Sequence, residues 1–217
     1  MLERIARGRT DLIFEWLAGG RAPDETVDGA SLAGWAAYYG DVSALRHLMA
    51  HGVTPDSQAE LNGAAFHGHW QLSAFMIERG ADPNRPLADT GETPLHAALC
   101  RRDSVAHDRV VRVLLDAGAD PNLITAIGVE TGCYMRDTVT RGETPLHRAA
   151  VCALPETIEA LIGAGATIDA RDVHGETPLA WASRALRNDV VLRLLCYGPH
   201  RINPQRQPMA VGLIGAP

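Results

Sequence analysis

The chain has 217 residues, 46% of them apolar, and a formal net charge of −6. That composition supports a large buried core, and the acidic balance argues against non-specific binding to nucleic acid. No apolar run approaches the roughly 18 residues of a membrane-spanning helix, and the charged start Met1-Leu-Glu-Arg-Ile-Ala-Arg7 is unlike a signal peptide, so neither is expected.

In chain order, the first clear pattern is Ser31-Leu-Ala-Gly-Trp-Ala-Ala-Tyr-Tyr-Gly40. It is echoed by Ala59-Glu-Leu-Asn-Gly-Ala-Ala-Phe-His-Gly68, and both hold Ala-Ala-x-x-Gly. A sharper string, Gly-Glu-Thr-Pro-Leu-His, occupies Gly91–His96 and Gly142–His147 and returns as Gly-Glu-Thr-Pro-Leu-Ala at Gly175–Ala180. Between these lie Gly80-Ala-Asp-Pro-Asn84, Gly118-Ala-Asp-Pro-Asn122 and Gly165-Ala-Thr-Ile-Asp169. A chain that repeats itself is built of stacked units. The unit from Gly142 shows how one is made. Thr144 is an N-cap and Pro145 fits the first helical position, where no N–H is needed. Leu146, Ala149 and Ala150 give a short helix with a small-residue face. Pro155 opens a second helix, which Ile158, Leu161 and Ile162 supply with an apolar stripe. Gly165 ends it, and polar residues from Asp169 to His174 lead to the next unit.

These Thr-Pro-Leu-His and Gly-Ala-Asp-Pro-Asn strings closely resemble the ankyrin repeat. The resemblance implies an all-α fold: an ankyrin-repeat solenoid of stacked helix–turn–helix units with β-hairpin fingers and a concave face. In that register the threonine position is held by Ser31, Ala59, Thr93, Thr144 and Thr177, at spacings of 28, 34, 51 and 33. Six units follow, over about 1–24, 25–56, 57–84, 85–122, 123–169 and 170–203, as a single domain 1–203. Unit one shows only its second half clearly, with Gly8 and Gly20 at the family's mid-repeat and end-of-repeat glycines. The remaining 204–217 are expected to form an extended tail packing on the last repeat through Met209, Val211, Leu213 and Ile214.

Departures from the usual spacing of about 33 residues mark candidate sites. The spacing of 28 shortens the finger between units two and three. The spacing of 51 adds residues at Arg102–Asp108 and, mostly, within Leu123–Arg141, read here as one enlarged finger. Tyr134, Met135 and Arg136 in that finger are residue types favoured at interfaces. Tyr38, Tyr39, Phe66 and His67 end the first helices of units two and three, and family geometry sends them toward the groove as a partly exposed aromatic patch. Trp35 and Trp181 are expected in the core. Glu92, Glu143 and Glu176 recur at one position. Each interacts well with the helix N-terminus it precedes, and together they would form an acidic row suited to a basic partner segment.

Little in the chain points to catalysis. In the family, the histidine of Thr-Pro-Leu-His is structural, which covers His96 and His147. His67 and His69 have no third ligand near them in sequence, Cys100 and Cys152 sit in no nucleophile motif, and an enzyme with chemistry on the Cys133 finger is the least favoured reading. No cofactor or metal is expected. Four cysteines without disulfide or metal spacing fit a reducing compartment, so the expected location is cytoplasmic. All 20 basic residues are arginine, which fits a GC-rich, bacterial source or a protein that must avoid ubiquitination. The resemblance therefore implies a monomeric, non-catalytic module that binds a protein partner through its concave face and the 123–141 finger, with no nucleic acid or membrane partner. A secreted bacterial effector acting on host proteins is the alternative.

Overall fold

The computed structural model describes residues 1–54, 57–132 and 138–197. Cys133, Tyr134, Met135, Arg136 and the tail 204–217 lie outside the described residues. Twelve helices and two short β-hairpins are found among the described residues. The helices come in pairs: α1 (Leu2–Ala6) with α2 (Leu12–Ala18), α3 (Leu32–Tyr38) with α4 (Val42–Ala50), and α5 (Ser57–His67) with α6 (Trp70–Glu78). Then come α7 (Pro94–Ala97) with α8 (Val105–Asp116), α9 (Pro145–Cys152) with α10 (Pro155–Gly163), and α11 (Pro178–Arg184) with α12 (Asp189–Tyr197). Residues 1–24 thus hold a full helix pair, not only half of one.

The pairs form two layers. Odd-numbered helices pack on one another in sequence from α1 to α11, and even-numbered ones do the same from α2 to α12. One continuous core lies between the layers, from Ile5 and Ile13 through Leu45, Leu72 and Leu114 to Leu161 and Leu195. Small residues make the close approach of layers possible: Ala36, Ala64, Ala149 and Ala182 are all fully buried.

Helix starts follow from capping chemistry. Ser31 accepts from Gly34 N at 3.0 Å, and Thr177 accepts from Ala180 N at 3.4 Å. Thr93 and Thr144 form reciprocal capping boxes with His96 and His147. Ala59 has no hydroxyl to offer, and its helix starts two residues earlier, at Ser57. Trp35 and Trp181, expected in the core, are half-buried instead, because each indole N–H is used at the edge of its unit. Trp35 Nε1 donates to Val27 O at 2.9 Å, and Trp181 Nε1 donates to Asp172 Oδ2 at 3.0 Å.

The Arg102–Asp108 extension reaches forward along the stack. Asp103 N donates to Cys152 O at 2.8 Å. Buried Arg187 Nη2 reaches Asp103 Oδ1 at 3.2 Å, and the same side chain donates to Val151 O at 2.8 Å and to Ala153 O.

Successive pairs also interlock through histidine rings set into glycines. Gly40 and Gly68 have φ of 73° and 80°, and a Cβ on either would lie within 3 Å of a ring, that of His69 and that of His107 respectively. Each ring then reaches a carbonyl of the preceding pair: His69 Nε2 meets Tyr38 O and His107 Nε2 meets Phe66 O, both at 3.0 Å. Gly80 shares the backbone conformation, with φ of 92°, but a Cβ there would meet nothing within 4 Å. Gly80→Ala is therefore expected to lose only the backbone term, roughly 1–2 kcal/mol. Gly68→Ala must lose that and the ring contact too. Urea titration of the two variants measures the difference, and equal losses would show that the ring does not lock into the glycine.

Candidate functional site

The second hairpin pairs β3 (Ile127–Thr131) with β4 (Thr138–Arg141), and its outer side chains Ile127 and Val139 are 63% and 42% exposed. Backbone bonds attach it at both sides, Ala126 N to Thr90 O at 2.7 Å and Val173 N to Arg141 O at 2.8 Å. Ile124 and Val173, on the adjoining segments, are exposed as well. Thr131 and Thr140 are the strand residues that turn inward.

Beneath the hairpin lies a buried ionic cluster. Arg148, from α9, is fully buried, and its Nη2 lies 2.6 Å from both Glu92 Oε1 and Glu143 Oε1. Its Nε also donates to Glu143 Oε1 at 3.1 Å. Threonines and a main-chain N–H complete the carboxylates. Thr131 Oγ1 donates to Glu92 Oε1 at 2.7 Å and Thr90 Oγ1 to Oε2 at 3.0 Å. Thr125 Oγ1 and Arg141 N donate to Glu143 Oε2 at 2.7 and 2.6 Å. Burial alone would raise the Glu143 carboxyl, but the Arg148 guanidinium and these donors hold it down to about 2. Glu143 is thus ionised, and both acids are paired with Arg148 and out of water.

This corrects the expected acidic row. Glu92 and Glu143 are 1% and 2% exposed and spend their charge on Arg148, so they present no acid to a partner. Glu176 is half-buried and pairs with Arg184. Sequence reasoning passed over Arg148 because it stands in a column otherwise held by Trp35, Gly63, Ala97 and Trp181, which share no chemistry.

His96 and His147 fill the structural role expected of them. Each Nε2–H donates to the backbone carbonyl before the next unit's threonine, His96 to Glu143 O at 3.1 Å and His147 to Glu176 O at 3.0 Å. Each Nδ1 accepts from its own cap threonine. Burial, with Arg148 adding to it, lowers His96 to about 3, and burial lowers His147 to about 4. His107 is likewise satisfied at both nitrogens, by Ser104 at 2.8 Å and by Phe66 O, so it has no lone pair to activate Cys100 at 3.9 Å. Among the described residues, no group of three or more His, Cys, Asp or Glu is placed to hold a metal, and no helix is long and apolar enough to cross a membrane.

The aromatic patch forms a continuous run but splits in direction. Tyr38 contacts both Tyr39 and His67, with ring centroids 5.0 and 4.5 Å apart, and His67 contacts Phe66 at 5.0 Å. Tyr39 turns toward α1, where its hydroxyl donates to Ala6 O at 2.9 Å, and Phe66 packs on the core. Tyr38 and His67 instead line an open groove of about 580 Å³ between the first hairpin, β1 (Thr26–Val27) with β2 (Ala30–Ser31), and the turn after α4. Its floor includes Gly34, Ala37 and Gly63, with Asp24 and Glu60 among its walls.

Two measurements test the buried cluster. Arg148→Leu strands two carboxylates and is expected to cost about 3–5 kcal/mol, much of it recovered by adding Glu92→Gln and Glu143→Gln. A single variant as stable as the parent would contradict the pairing. The histidines set a pH dependence with a definite sign. Their folded values lie below the ordinary 6.5, so the unfolded chain takes up protons that the fold refuses. Stability is complete above pH 6.5 and falls as pH drops toward 4, by roughly 2 kcal/mol per histidine at pH 5. Glu143 adds a further loss from its ordinary 4.5 down toward 2. Urea unfolding at pH 7 and pH 5 checks this, and replacing both histidines by glutamine should flatten the difference.

The chain matches the family described as "Ankyrin repeats (3 copies)" over residues 33–125 and again over 123–206. It is 35% identical to the human "Neurogenic locus notch homolog protein 4" over 66% of its own length, but spans only 7% of that protein. It is 33% identical to the bovine "Cyclin-dependent kinase 4 inhibitor B" over 61% of the chain and 86% of that protein. A third relative, the human "NF-kappa-B inhibitor alpha", is 30% identical over 60% of the chain and 38% of that protein.

Proposed function

The chain belongs to the ankyrin-repeat family, whose repeats mediate protein–protein interaction, and on that premise we propose that it binds a protein partner without catalysing a reaction. The contact surface is the concave face of the solenoid together with the 123–141 segment acting as an enlarged finger. One observation carries this reading. A hairpin with exposed Ile127 and Val139 is fixed from below by the buried Arg148–Glu92–Glu143 cluster through Thr131, Thr125 and Arg141. Burying an arginine and two glutamates gives little net stability over an apolar core. It does hold a surface element in one geometry, and a pre-organised apolar element loses less entropy on binding. By their printed names two relatives are inhibitors of other proteins, in keeping with a binding role. Cysteine spacings that fit no disulfide pattern favour a cytoplasmic setting.

Deleting Leu123–Arg141 is a poor test, since it removes the threonines that serve the buried acids. Point changes on the outer surface are better. Ile127→Ser with Val139→Ser is expected to leave the melting temperature within a few degrees and to abolish capture of the partner from lysate of the source organism. A partner retained in equal amount by parent and variant would overturn the role of the hairpin.

A further inference from the structure

We propose that the groove between the first hairpin and α5 is the seat of an extended partner segment carrying an arginine or lysine beside an apolar residue. This deepens the protein-binding reading above and rests on it. The first ground is shape. The groove of about 580 Å³ has small residues, Ala30, Gly34, Ala37 and Gly63, along its length and the face of Tyr38 at its side. Tyr38 is 49% exposed and lines the groove beside half-buried His67, whereas Tyr39, 38% exposed, has its hydroxyl bonded to Ala6 O and Phe66 packs on the core. An exposed tyrosine beside a narrow floor is the kind of anchor that receives apolar and cationic side chains.

The second ground is charge. Of the residues lining the groove, Asp24 and Glu60 are acidic and none is arginine. Asp24 is exposed, as are Glu25, which with it precedes the first hairpin, and Asp28 in its turn, none of them in an ion pair among the described residues. At the other end His67 is held below its ordinary value, by burial first and then by His69, Arg101 and His107, so a positive charge is disfavoured there. The field of Arg101 is felt at that end. A cation is therefore favoured at the Asp24 end, with its apolar neighbour over Tyr38. The basic segment expected from the glutamate row is thus reassigned to another set of acids.

The third ground is Gly63. It sits inside α5, where glycine costs roughly 0.5–1 kcal/mol relative to alanine. Its backbone does not require glycine, and a Cβ there would meet nothing within 4 Å. What its missing side chain provides is the open space of the groove.

Gly63 also supplies the decisive variant, because Gly63→Leu fills the groove without straining the helix. A phage-displayed library of random dodecapeptides is panned on the parent protein, and enriched peptides are titrated against parent, Gly63→Leu, Asp24→Asn and Tyr38→Ala. The expected result is a peptide family sharing one arginine or lysine next to an aromatic or aliphatic residue. Its affinity should fall at least tenfold in each variant, while the Gly63→Leu melting temperature is equal to or above the parent's. Families lacking a basic residue, acidic families, or affinities unchanged in Gly63→Leu would overturn the proposal. So would self-association of the parent that Gly63→Leu abolishes, since a second copy would then be the occupant. If no family is enriched while the hairpin still governs capture of a partner, the groove proposal fails and the broader reading stands. If the hairpin variant captures its partner like the parent while basic peptides bind the groove, the reverse holds.

Discussion

Arg148 is a guanidinium at zero exposure, and its two carboxylates come from two different units. A charge so placed tolerates no slack. Were either glutamate to withdraw, the loss of its partner would outweigh any single apolar contact nearby. The cluster therefore fixes the distance between the turn before α7 and the turn before α9. The inserted hairpin can only occupy the place where its Thr131 completes Glu92. The repeats alone dictate that units stack. This polar cluster dictates where the extra residues between two of them must go.

The same logic of one group serving two units appears at smaller scale along the chain. His96 and His147 cap their own helix with one nitrogen and hold the next unit with the other. His69 and His107 lie in glycine notches of the preceding pair and reach its carbonyls. Asn84 and Asn122 do so at the turns, each donating to a carbonyl one unit ahead at 2.9 Å. Few of these contacts need a large apolar side chain, which is how a chain with 5% aromatic residues keeps its units in register.

Much of this was legible in the sequence, for a physical reason. Caps, prolines and glycines act within a few residues of themselves, so Thr144-Pro145 and Gly165 announce a helix and its end without reference to the rest of the chain. Arg148 announces nothing, because its partner Glu92 is brought to it only by stacking. The glutamates misled for a related reason. Register assigns Glu92, Glu143 and Glu176 to one column, but depth depends on what lies above them, and only the first two are covered by the hairpin segment. The aromatic run falls at the helix ends, yet its division into groove-facing Tyr38 and Tyr39, whose hydroxyl bonds to Ala6 O, follows from the position of α1, in the half of the first unit that the sequence left indistinct.

Arg187 makes one pair depend on the next. The end of α9 has Ala153 in an extended conformation, with ψ of 161°, where the first three pairs turn on Gly8, Gly40 and Gly68. Its last carbonyls, those of Val151 and Ala153, are taken up by Arg187 from the unit that follows. The α9–α10 pair thus takes the finish of its first helix from both sides, Arg187 of the following pair on Val151 O and Ala153 O and Asp103 of the preceding pair on Cys152 O. Repeat arrays are commonly treated as beads that can be added or removed singly. In this protein removal is not neutral: shortening from the C-terminal end by one whole helix pair would remove a neighbour and also strip the Val151 and Ala153 carbonyls at the end of α9 of their donor, Arg187.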